Sequence, residues 1–280
     1  MKLFDAHNHL QDAWLAPHLD AIAAELARLP LGGAVVNGTC EADWPGVTAL
    51  AQAYAWVRPS YGLHPWDVGN ASPSWRDALR RTLDAHPRAA VGEIGLDRWI
   101  LGSARPDEPR LAGLRRAPLA EQTEAFAWQL ALAAERNLPA TVHCLEAWGP
   151  TIAALRATPR PACGFLLHAY GGPAEMVAEF AALGAYFSFN GAFLAERHAA
   201  KRAVFAKIPA ERLLVETDAP AMTPPFANRA HALPPLADGT EINHPANIAA
   251  AYTGLATIRG VPLEELAAQV AGNFTRLFGS

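Results

Sequence analysis

Seven side chains in this sequence have the types and spacing for hydrolytic chemistry: His7, His9, His64, Glu93, His143, His168 and Asp218. Each falls at the end of a short apolar, β-compatible run. His7 and His9 close Leu3–Ala6, His64 closes Pro59–Leu63, and Glu93 closes Ala89–Ile94. His143 closes Ala140–His143, His168 closes Gly164–His168, and Asp218 closes Leu213–Glu216. Strand side chains alternate between faces, so His7 and His9, two apart, point the same way; Asp5, Glu216 and Asp218 obey the same parity. Inside a barrel, such polar groups must be paired or must ligate something. Imidazoles with carboxylates suit zinc, manganese, iron or magnesium in hydrolytic sites. No GxSxG motif and no distinctive Cys–His spacing offers another nucleophile.

The runs that carry these residues, with Ala34–Val36 and Ala185–Phe189, are near-continuous hydrophobic segments, as parallel strands covered by helices require. Helical spacing fills the gaps: Leu15, Leu19, Ile22, Leu26 and Leu29; Phe126 and Leu130; Met176, Phe180 and Leu183. Eight alternations of strand and helix predict an α/β fold of the (β/α)8 TIM-barrel type, a single domain over residues 1–280. The rival, a doubly wound open sheet, lacks a GxGxxG after the first strand and a P-loop. Two segments, Arg98–Pro118 and Ala219–Pro245, are proline-rich and read as irregular. Both follow a strand, which places them on the C-terminal rim where active sites of such barrels lie.

Composition narrows the function. A hydrophobic fraction of 51% over 280 residues supports a sizeable core, and 18% charged residues is too few for a disordered polyelectrolyte. A net charge of −4 argues against nonspecific nucleic-acid binding by the whole surface, leaving only a local basic patch. Three cysteines without CxxC spacing suit a reducing cytoplasm, and neither a signal peptide nor a membrane-spanning run is read.

The motifs HNH at 7–9, GLHP at 62–65, GEIGLD at 92–97, VHC at 142–144, LH at 167–168 and ETDAP at 216–220 resemble the TatD-related metal-dependent hydrolases, the TatD-type deoxyribonuclease family of the amidohydrolase superfamily. Gln122, Phe126 and Gln129 fit that family's helix before the fifth strand, and the resemblance extends to NFTRLF at 273–278. It implies two divalent ions per chain (Zn, Mn or Mg). His7, His9 and Asp218 would hold one, His143 and His168 the other, and Glu93 would bridge them. Asp218 would take the proton of a metal-activated water, and His64 would contact a substrate phosphate or orient the nucleophile. The chain departs from the family at Gln11, at Ala169–Gly172 and in a longer rim segment after GEIGLD, positions expected to touch substrate.

The expected reaction is phosphodiester hydrolysis, with DNA or another phosphodiester as substrate. Hydrolysis of another ester or of an amide (an aminoacyl ester, lactone or cyclic amide) is the alternative, and a scaffold that lost its chemistry is a third reading. Within Arg98–Pro118, Arg98, Arg110, Arg115 and Arg116 are candidates to bind an anionic substrate, against a reading in which the loop is merely solvated. Glu216 is either a partner of a ligand or an ion-pair residue. Trp66 and Trp99 either stack on a base or pack. Cys144 is read as a small buried filler, and His18, His86, His198 and His231 are given no role.

Overall fold

Eight parallel strands pair in chain order, β1 through β8, in one sheet of the computed structural model, which describes residues 1–279. They are β1 Leu3–Asn8, β2 Leu31–Asn37, β3 Val57–Tyr61, β4 Ala90–Asp97, β5 Ala140–Leu145, β6 Phe165–Leu167, β7 Ala185–Asn190 and β8 Leu213–Glu216. Hydrogen bonds draw β8 to β1: Asp218 N–H donates to the His7 carbonyl (2.9 Å), and His9 N–H donates to the Ala219 carbonyl (2.8 Å). Thr217 adds its N–H (3.0 Å) and hydroxyl (2.6 Å) to the Asp5 carboxylate. The chain is therefore a (β/α)8 barrel, as the alternation predicts.

The helices are α1 Leu19–Leu26, α2 Trp44–Ala53, α3 Trp75–Ala85, α4 Trp99–Gly102, α5 Leu119–Arg136, α6 Trp148–Ala157, α7 Val177–Ala182, α8 Ala199–Phe205, α9 Ile248–Arg259 and α10 Leu263–Phe278. Those that cover the sheet do so because their apolar stripes recur at helical spacing. Helix α5 buries Ala125, Phe126, Leu130 and Ala133, and α10 sets Phe274 on Phe4 with ring centroids 4.7 Å apart. No helix among the described residues is long and apolar enough to cross a membrane.

Helix α5 also places the site through its two buried glutamines. Gln122 accepts from Asp97 N–H (2.8 Å) and donates to the Asp97 carbonyl (3.1 Å). Gln129 does the same for Leu63, at 2.7 and 3.1 Å. Each side-chain amide completes the backbone hydrogen bonding of a residue at or just beyond a strand end, where a buried unpaired amide would be costly. The ends of β3 and β4, which carry His64 and Asp97, are thereby fixed to a rigid helix.

Arg98–Pro118 is irregular over most of its length, as expected, with the short α4 and a 3-10 turn at Pro109–Leu111 within it. It closes over a small apolar cluster of Ile100, Ala104 and Leu111, flanked by Trp66, Trp99 and Leu114 and separate from the main core. His231, expected to have no role, pairs through Nδ1 with Glu25 of α1, and its ring stacks on His244. Together with the two-pronged Arg229–Glu241 pair (2.8 Å each) it ties down the segment after β8.

Candidate metal centre

Strand β4 runs past Glu93 to Asp97, so Glu93 lies within the strand rather than at its end. The glycines around it are set by packing. A Cβ on Gly92 would fall 1.7 Å from the Thr141 hydroxyl. Gly95 has φ of +146°, and a Cβ there would meet the His143 carbonyl at 2.0 Å. These close approaches press β4 against β5 and bring Glu93 next to His143.

The Glu93 carboxylate is the centre of the site. Its Oε2 faces His7 Nε2 (3.3 Å) and His9 Nε2 (3.2 Å). Its Oε1 faces His168 Nε2 (2.9 Å), His143 Nδ1 (3.0 Å) and His64 Nε2 (3.4 Å). Asp218 Oδ1 adds to the first group, 3.6 Å from His7 Nε2 and 3.5 Å from His9 Nε2. The six residues expected to ligate metal thus converge as two donor sets that share one carboxylate. Asp218 reaches its place from a left-handed backbone, φ +54°, two residues beyond β8.

The outward nitrogens show which ring atom each histidine presents. His9 Nδ1 lies 2.8 Å from the Asn37 carbonyl and must donate to it, which leaves the Nε2 lone pair aimed at Glu93 and Asp218. His143 Nε2 lies 3.1 Å from Asp97 Oδ2 and donates to it, so the neutral ring would turn its Nδ1 lone pair to the site. His64 is the opposite case. Its Nδ1 accepts from Trp66 N–H (3.2 Å), so a neutral His64 carries its proton on Nε2 and presents a donor. That distinguishes His64 from the six residues expected to bind metal, although it lies with Glu93 and His143 in a cluster that could hold an ion.

Burial and charge act together here. Burial pushes Glu93 upward, but the histidines around it, His64, His168 and His7 among them, outweigh that and hold it well below the ordinary carboxylate range. Asp218 is likewise pushed up by burial and brought below its usual value by His9, His168 and His7. Burial would lower His143, yet its bonds to Asp97 and Glu93 carry it up to about 9. For His7 and His64, burial prevails and both lie below the usual imidazole value. The His7 and His9 Nε2 atoms lie 3.3 Å apart, close enough to share one proton or one cation, and His7 Nδ1 is buried without a partner. With two anionic carboxylates the donor set fits divalent cations.

A third cluster, Glu25, His231 and His244, has metal-like composition but the wrong lone pairs. His244 Nδ1 accepts from Ala246 N–H (3.0 Å), so its Nε2 carries the proton that faces Glu25 at 3.5 Å. This cluster is a hydrogen-bonded clip.

Several other predicted residues take supporting positions. Glu216 is fully buried; its Oε1 sits 3.7 Å from His168 Nδ1, and its other oxygen accepts from Ser188 Oγ. It therefore stands behind His168. Cys144 is buried against Thr151 (3.1 Å), with its thiol pushed up to about 12 by burial. Gln11 donates to the Asn37 carbonyl and Asp43 (2.7 and 3.0 Å), and Tyr170 is buried with its hydroxyl on the Pro173 carbonyl (2.7 Å). Both hold the scaffold at positions expected to meet substrate.

The arginines divide. Arg116 donates to the carbonyls of Ile100 (3.1 Å), Arg105 (2.7 Å) and Pro106 (3.4 Å), bracing the segment from within. Arg115 pairs with Glu121 (2.7 Å) and the Gly69 carbonyl (2.9 Å). Arg110 lies exposed over the stacked rings of Trp66 and Trp99, 5.3 and 5.5 Å from their centroids, and bonds Glu108 (2.9 Å). Arg98 is exposed at the head of α4. Sequence reasoning passed over Asp97 as a partner of His143; the signal available was its place at the end of GEIGLD, four residues after Glu93 and so on the same strand face.

With this geometry established, comparison with known proteins is informative. The family model described as "TatD related DNase" matches residues 4–279. A relative from Klebsiella pneumoniae (strain 342), named 3'-5' ssDNA/RNA exonuclease TatD, is 30% identical over 279 residues, covering 99% of this chain and 98% of the relative. A Bacillus subtilis (strain 168) protein, the uncharacterized metal-dependent hydrolase YabD, is 28% identical over 282 residues, covering 99% and 98%. Among solved structures, the TatD homolog YJJV of Escherichia coli k12 superposes with a TM-score of 0.83 at 25% identity, covering 99% of this chain and 98% of that one.

Proposed function

The chain belongs to the TatD related DNase family, and from that premise we propose that it is a two-ion nuclease acting on single-stranded DNA or RNA, the substrates named for its Klebsiella relative. One observation carries the two-ion reading: the Glu93 carboxylate is divided, one oxygen to His7 and His9 and the other to His143 and His168. In this reading His7, His9, Asp218 and Glu93 hold the first ion, and His143, His168 and Glu93 the second. Bound divalent ions would neutralise phosphoryl oxygens and lower the pKa of a water to about 7.

The chain's own residues supply the remainder. Asp218, held ionised by its histidine neighbours, accepts the proton of the attacking water at its carboxylate. His64, with its proton on Nε2, donates to a phosphoryl oxygen rather than binding metal. Arg110 and Arg98, the exposed arginines of the rim segment, bear on the nucleic-acid backbone, and Arg115 and Arg116 order the segment they stand on. The three cysteines are free thiols, which supports a reducing cytoplasm as its compartment.

The test is a comparison of end-labelled single-stranded DNA and RNA with an aminoacyl ester, a lactone and a cyclic amide, before and after chelation and with Zn, Mn or Mg restored. Metal-restored release of nucleotides is the expected result. Full activity in protein shown to be free of metal would overturn the metal mechanism. Turnover confined to the ester, lactone or amide would overturn the nuclease reading.

A further inference from the structure

We propose that Asp97 and Trp66 form a positioning pair that fixes the ring of His143, so that order in the rim segment is felt directly at one of the two donor sets. The inference rests on the two-ion reading above and names residues outside its six ligands. Three donors converge on the Asp97 carboxylate, which is fully buried. His143 Nε2–H and Trp66 Nε1–H both reach Oδ2, at 3.1 and 2.6 Å, and Ile100 N–H reaches Oδ1 at 3.2 Å. The backbone of Asp97 is pinned at both its N–H and its carbonyl by Gln122. An imidazole that ligates through Nδ1 must keep its proton on Nε2, and a fixed acceptor at Nε2 enforces that tautomer and ring angle.

Trp66 contributes through two separate atoms. Its indole N–H orients Asp97, and its backbone N–H bonds His64 Nδ1 (3.2 Å), so His64 carries its proton on Nε2 as His143 does but turns that N–H, and not a lone pair, toward Glu93. On its far side Trp66 stacks on Trp99, with centroids 6.1 Å apart, under the Arg110 guanidinium. Trp66 therefore links the rim segment to His64 and His143, two of the three histidines on the Oε1 side of Glu93. Its indole N–H is engaged with Asp97, which makes it a support for the site and accounts for its position better than an open base-stacking surface would.

The acceptor requirement can be read by substitution. Alanine at position 97 leaves His143 Nε2 without its partner. Asparagine can still accept from His143 and Trp66 with its carbonyl oxygen, at the cost of turning its NH2 toward Ile100 N–H. Asn is thus a partial rescue, while a purely structural carboxylate would not sort the two ions. Zinc titration of the wild type, Asp97→Ala, Asp97→Asn, Trp66→Phe and Trp99→Phe, with 15N-histidine spectra of the zinc-loaded forms, tests this. Expected for Asp97→Ala is a loss of about 10–100-fold in affinity for one ion, with the other within a few-fold and the Nδ1-bound signature of His143 gone. Asp97→Asn should retain most of that affinity. Trp66→Phe should lose several-fold at the same ion, and Trp99→Phe, which keeps a ring against Trp66 and removes none of its hydrogen bonds, should lose less. Uptake of one ion or none by the wild type would overturn the two-ion reading itself. Two ions held by wild type and Asp97→Ala with equal affinity and unchanged His143 spectra would overturn the positioning role alone. Equal weakening of both ions in Asp97→Ala, without rescue by Asn, would do the same.

Discussion

His7 and His168 stack face to face, with ring centroids 4.0 Å apart and planes 12° from parallel, although one lies in β1 and the other just beyond β6, strands that are not neighbours in the barrel. The two groups of side chains around Glu93 are therefore in contact through rings as well as through that carboxylate.

Removing the shared carboxylate should then affect both halves. Glu93→Gln is expected to weaken uptake of both ions, while His143→Ala weakens one. Metal content after dialysis against graded chelator distinguishes them. Retention of one ion at wild-type affinity in Glu93→Gln would show that this carboxylate serves a single set.

Asp218→Asn keeps the shape of the side chain but removes its negative charge and its capacity to accept a proton. A fall in kcat of roughly 10²–10⁴-fold is expected, larger than any change in substrate binding. Glu216→Gln, one layer behind His168, should be milder, about 10–100-fold in metal affinity or activity. Steady-state kinetics on a labelled oligonucleotide compares the two. Asp218→Asn within a few-fold of wild type would exclude it as the base.

The rim arginines should separate by what they touch. Arg110→Ala is expected to raise KM for an oligonucleotide and to flatten the log–log salt dependence by about 0.7–0.9 for each phosphate that is no longer neutralised. Arg116→Ala removes donors from three carbonyls of the segment. It should lower stability by about 1 kcal/mol, read as a lower denaturation midpoint. An unaltered KM and salt slope in Arg110→Ala would reject this arginine as a substrate-binding residue.

Cys144 sits next to His143, yet burial pushes its thiol up to about 12, so it is held as the unreactive thiol near neutral pH. Peptide mapping after brief maleimide treatment of the folded protein should find Cys144 unmodified while the half-buried Cys163 reacts. Labelling of Cys144 at the rate of Cys163 would mean that the packing around it opens.

Much of the site is legible in sequence because parallel strands alternate their faces and barrels gather strand ends on one rim. His7, His9, Glu93, His143, His168 and Asp218 come together in three dimensions for that reason. Strand limits are less legible: β4 extends to Asp97, since its last residues are held by Gln122 from α5, a contact between distant parts of the chain. The same applies to Arg116, whose partners are backbone carbonyls that no side-chain pattern records. The tautomers of His64 and His143 depend on Trp66 and Asp97, and only the folded geometry reveals which nitrogen each partner meets.

The small apolar cluster of Ile100, Ala104 and Leu111 is separate from the main core, and this has a consequence for how the protein opens and how it can change. A segment with its own interior is a separate cooperative unit, able to detach at a free energy below that of global unfolding. Amide exchange should then be faster across residues 99–114 than in β4 just before them. The same independence lets the outer part of the segment change in length and charge with little disturbance to the barrel, whereas changes that displace Ile100 or Trp66 would reach the Asp97 carboxylate and the His143 ring it holds.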